Sequence, residues 1–93
     1  MRKIESSMIT AVHTKANWFK GSTAVQYNEY TYTSCIRLHG NIIATYGPMD
    51  AVVKPRLDTF REWPTVTTRS RLRALGVNAS IEGGQAMIDG ELI

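Results

Sequence analysis

Residues 3–15 place Ile4, Met8, Ile9, Ala11 and Val12 at the spacing of one helical face, so the chain is predicted to begin with an amphipathic helix. Asn17 and Gly21 are its stop signals, and Trp18 and Phe19 between them are expected as core anchors. From Ser22 the pattern shortens to a period of two. Residues 23–27, 32–38 and 42–46 are rich in Thr, Tyr, Val and Ile and read as strands. A turn begins at Asn28-Glu29. His39-Gly40-Asn41 is a tighter one, since Gly and Asn tolerate the positive φ that hairpins need. Gly47-Pro48 breaks the run, and residues 51–53 resume a strand. Residues 77–81 and 85–88 flank Glu82-Gly83-Gly84 as a C-terminal hairpin.

The best-punctuated helix lies between these two sheet regions, in WPTVTTRSRLRALG (residues 63–76). Pro64 biases Trp63 away from helical angles. Thr65 or Thr67 serves as N-cap, and Gly76 stands where a left-handed C-cap residue belongs. Thr68, Leu72 and Leu75 share one stripe and should dock. Arg69 and Arg73 share another, with Ser70 beside them, and Arg71 lies toward the opposite shoulder. The segment PRLDTFRE, residues 55–62, is open. Leu57, Phe60 and Trp63 at three-residue spacing suit a short helix, which gives a helix-turn-helix followed by a hairpin wing. The same residues can instead continue a strand. The predicted fold is a single α+β domain over residues 1–93: N-terminal helix, small antiparallel sheet, one basic helix, C-terminal β-hairpin.

Composition narrows the function. The chain has 93 residues, enough for one modest core, and no long apolar run that spans a membrane. The N-terminus lacks the continuous apolar segment of a secretory signal. The single cysteine, Cys35, cannot form an internal disulfide and fits a reducing cytoplasm. Cys35 and His39 are four apart on a strand, about 13 Å at the strand rise, too far to act as nucleophile and base. Gly83-Gly84 is no phosphate loop, and the acidic residues show no metal-loop spacing. No cofactor and no catalytic or metal residue is therefore expected.

Charge is what remains. The net charge is +3, but residues 76–93 carry three acidic and no basic side chains, while residues 47–75 carry six basic and three acidic. The basic stretch is Lys54, Arg56, Arg61, Arg69, Arg71 and Arg73. Guanidinium groups match phosphate oxygens, so these residues, with Ser70 and Trp63, are the expected binding surface. The expected partner is nucleic acid, contacted through its phosphates. The alternative is a host or host-defence protein, for which Trp63 and the arginines are interface-type residues. Oligomeric state is left open.

LHGNIIA (residues 38–44) and the W-x-T-x-TTRSRL start of the basic helix together resemble a family of small accessory proteins of tailed bacteriophages, functionally unassigned. The resemblance implies a strand before Trp63, a protein made in the host bacterial cytoplasm, and a non-enzymatic role.

Overall fold

The computed structural model describes residues 2–93. Its first element, α1 (Lys3–His13), turns Met8, Ala11 and Val12 inward, as the helical spacing predicts. Glu5 is buried on the same face. Five antiparallel strands follow: β1 (Trp18–Lys20), β2 (Thr23–Asn28), β3 (Thr33–Leu38), β4 (Asn41–Tyr46) and β5 (Lys54–Pro55). They pair strictly in sequence order.

The turns explain that order. Between β3 and β4, His39 and Gly40 both take positive φ, 52° and 81°, the geometry of a two-residue hairpin whose twist matches its strands. Between β2 and β3, the Asn28 side-chain oxygen accepts the amides of Tyr30 and Thr31 and closes the loop locally. On β3, Ser34, Ile36 and Leu38 are buried while Cys35 and Arg37 are half-buried on the opposite face. This is the alternation read from the sequence. Cys35 is a free thiol. On β4 the alternation slips. Ile36 faces Ala44, but Arg37 faces Ile42, leaving Ile43 as an extra residue. That bulge lets both Ile43 and Ala44 reach the core. It also aims the Ile43 carbonyl at the Arg56 amide, which donates to it at 2.7 Å and fixes the start of the next helix over β4.

That helix, α2 (Leu57–Glu62), settles the open segment: it is a helix, and the strand implied by the family resemblance is absent. Residues 51–53 are likewise no strand, and pairing resumes only at Lys54–Pro55. Phe60 is fully buried and Trp63 ends the helix at its C-cap. Pro64 prevents continuation, because it has no amide to donate and crowds the preceding residue. Then α3 (Val66–Ala74) begins on Thr65, whose hydroxyl accepts the Thr68 amide at 3.1 Å. It ends on a Schellman motif. Gly76 (φ 92°) donates to the Arg73 carbonyl and Val77 to that of Leu72. Nothing lies within 4 Å of a Cβ built on Gly76. Gly76→Ala is therefore expected to cost about 1–2 kcal/mol through backbone strain alone, read as a lower midpoint in urea with an unchanged slope.

The C-terminal hairpin is longer than predicted. β6 (Ala79–Glu82), β7 (Gln85–Ile88) and β8 (Glu91–Leu92) form a three-stranded sheet. Its turns Gly83-Gly84 and Asp89-Gly90 are both in the positive-φ conformation. All three helices contact the five-stranded sheet, and α3 and α2 also contact β6 and β7. The core joins Met8 and Val12 to Val25, Ile36, Leu38, Ile43, Phe60 and Leu72, and reaches Ala79 and Ala86 of the small sheet. Of the two aromatics expected to anchor it, Trp18 packs against it and Phe19 does not. They form β1, where Trp18 faces Val25 and is half-buried, while Phe19 faces Ala24 and is 79% exposed.

Candidate nucleic-acid interface

The basic residues of the sequence do not form one surface. Arg71 departs most from expectation. Its side chain is 7% exposed, and Nη1 donates to the Glu5 carboxylate at 2.8 Å. Its Nε donates to the Thr23 hydroxyl at 3.1 Å. Arg71 thus binds α3 to α1 and to β2, and its guanidinium is turned away from any partner. The helical wheel places it beside the apolar stripe. The long side chain then bends inward because a buried carboxylate is there to receive it. Ser70 is also engaged, donating to Glu5 Oε2 at 2.6 Å.

Glu5 is the hub of this network. Burial alone would push its carboxyl up. Hydrogen bonds from Ser70 and Arg71, the Arg2 amide and the Arg71 charge outweigh burial and hold it below its ordinary value. Among the described residues no buried side-chain nitrogen or oxygen lacks a partner, so the network is fully satisfied. One sequence signal pointed to it. Glu5 stands three positions before Met8 and seven before Val12, a carboxylate inside the apolar stripe of α1. Such a group needs a buried cation.

Because Arg71 neutralises Glu5, the surface above the pair is left cationic. Arg69 and Arg73 line a shallow depression of about 330 Å³ between α3 and the start of α1, and Arg2 closes it from α1. Val66, Ser70 and Ala74 complete the α3 side, and Glu5, paired with Arg71, lines the depression from α1. None of these three arginines has a carboxylate within ion-pairing distance among the described residues. Arg2, unlike Arg69 and Arg73, was not expected here. It joins them only because α1 packs along α3.

The other basic residues lie elsewhere. Lys54 pairs with Asp50 at 3.0 Å and Arg56 with Asp58 at 3.1 Å. Asp50 also accepts the Gly47 amide, and that bond and Lys54 hold its carboxyl below the ordinary value. Both pairs reduce the local positive charge. Arg61 is exposed on α2, outside the depression. Trp63 is 53% exposed and lines a separate pocket.

A family model described as Kyanoviridae Gp96 protein matches residues 1–90. The chain belongs to that family. It is a cyanophage protein family, so the broad expectation of a phage protein holds. No curated protein and no solved structure matches the chain. Among the described residues no helix is long and apolar enough to cross a membrane, and no three His, Cys, Asp or Glu residues converge as metal ligands.

Proposed function

We propose that this is a non-enzymatic phage accessory protein, acting in the host cytoplasm, that binds nucleic-acid phosphates through Arg2, Arg69 and Arg73. The observation that carries the reading is the convergence of these three guanidinium groups, none ion-paired among the described residues, on one depression whose lining carboxylate, Glu5, is already neutralised by Arg71. Planar donors grouped in this way suit phosphate oxygens. Affinity from such contacts comes largely from counterion release and falls steeply with salt.

The Arg69→Ala/Arg73→Ala double variant tests it. Arg73 is exposed and Arg69 half-buried, and neither is ion-paired, so folding should be nearly unaffected. Binding to nucleic acid should weaken. The slope of log affinity against log salt should flatten by roughly 0.7–0.9 for each phosphate that is no longer neutralised. A folded double variant that keeps both affinity and slope would overturn the proposal. Nuclease-resistant capture of a host protein through the same arginines would overturn it in favour of an inhibitor.

A further inference from the structure

Across the start of α3 from the arginine cluster lies a second depression, of about 290 Å³. Leu38 and the bulged Ile43 give it an apolar lining, and His39 and Asn41 of the β3–β4 hairpin border it. Trp63 lines it too, as do Thr65 and Thr67 at the start of α3. The backbone of Trp63 is fixed at both ends of the peptide while its side chain stays half exposed: its amide donates to the Thr59 carbonyl at 2.9 Å, and its own carbonyl accepts the Thr65 amide at 2.9 Å. An indole offered to solvent over an apolar lining provides a face for stacking. The hydroxyls, imidazole and amide around it provide donors and acceptors for the edge of a ring. The volume is at the low end of the roughly 300–1,000 Å³ of small-molecule sites, enough for a single planar heterocycle.

The two depressions flank the beginning of α3. Thr65 borders this pocket, and the next residue, Val66, borders the arginine depression. A ligand crossing that ridge meets a stacking surface on one side and three unpaired guanidinium groups on the other. Only a polymer that joins planar rings to phosphates matches both.

We infer that the ligand is single-stranded nucleic acid, with one base stacked on Trp63 and adjoining phosphates on Arg69, Arg73 and Arg2. The inference rests on the phosphate reading of the arginine cluster and adds the strandedness of the ligand. In a duplex each base face is covered by its neighbours, so only an unpaired base can enter the pocket. The hydroxyls of Thr65 and Thr67 and the His39 ring then meet the base edge, while the arginines carry no base preference.

The test uses the full chain with Trp18→Phe, so that emission reports Trp63 alone. Short oligothymidylate and oligouridylate are titrated at low salt beside a duplex of equal phosphate content. Both single strands should change Trp63 emission and bind more tightly than the duplex. Trp63→Leu should weaken single-strand binding about 5–150-fold, the span of one missing base–aromatic stack, with the salt slope unchanged because every phosphate keeps its arginine. Trp63→Phe, which keeps a stacking face, should recover part of the loss and guards against a folding defect. Parental affinity in a folded Trp63→Leu variant would overturn the inference, as would a duplex that binds equally well without changing Trp63 emission. If Arg69→Ala/Arg73→Ala still abolishes binding in those cases, the phosphate reading survives and only the base pocket falls. If neither single strands nor duplex bind at low salt, both readings fall together.

Discussion

Arg71→Ala is expected to destabilise the fold by about 3–5 kcal/mol, the usual cost of leaving one member of a buried ion pair without its partner. Glu5 would keep its Ser70 hydrogen bond, but the cation that offsets its burial would be gone. For a domain whose total stability is about 5–15 kcal/mol, that is a large share. The neighbouring Arg69→Ala and Arg73→Ala should each change stability by less than about 1 kcal/mol, since neither is paired. The effect also depends on pH, in a definite direction. The Glu5 carboxyl is depressed in the folded state, so the stability it contributes is present above the unfolded-chain value near 4.3 and is lost as pH falls through its folded value. In Arg71→Ala two of the influences that lower it are removed, and once Glu5 is protonated it no longer needs a cation. The gap between parent and variant should therefore be widest near neutrality and narrow on acidification. Urea unfolding at several pH values reads both effects. A loss below about 1 kcal/mol near neutral pH, where a surface arginine would fall, rules the account out.

Phe60→Ala should rival it, costing about 3–5 kcal/mol. Phe60 is the largest fully buried side chain, and it sits on a helix of only six residues. That helix contacts β4 of one sheet and β7 of the other, so a cavity there loosens both. Leu72→Ala, also fully buried, belongs in the range of about 2–5 kcal/mol. Leu75 is only half-buried at the C-cap of α3 and should cost less than Leu72, although the helical stripe alone ranks the two equally. Thermal or urea denaturation showing Phe60→Ala within about 1 kcal/mol of the parent would mean that α2 is peripheral to the core.

These variants also mark what the sequence could say. Features with local causes were legible. The stripe of α1, the alternation on β3, the His39-Gly40 and Gly83-Gly84 turns and the caps of α3 each depend on residues a few positions apart. Short elements were not. β5 and β8 are two residues each, held by pairing to neighbours rather than by any pattern of their own. β1 is three residues whose aromatic pair reads as core, yet strand pairing turns Phe19 to solvent. The segment at 55–62 was ambiguous because one turn and a half of helix contains too few apolar positions to separate the two periods. Within the candidate site, Arg69 and Arg73 followed from their helix face, but Arg2 and the burial of Arg71 did not. Both depend on α1 lying along α3, and Glu5 and Arg71 are 66 positions apart.

That separation gives an expected order of assembly. Every neighbour in the five-stranded sheet is also a neighbour in sequence, so its hairpins close over short loops at little entropic cost. The contact between Glu5 and Arg71 closes a far longer loop, and distant contacts are the slow ones to form. An interaction made after the rate-limiting barrier leaves the folding rate nearly untouched and bears on the rate of unfolding. The buried pair is then expected to act as a latch: Arg71→Ala should speed unfolding, and so shorten the time the three arginines stay assembled, while leaving the folding rate nearly unchanged.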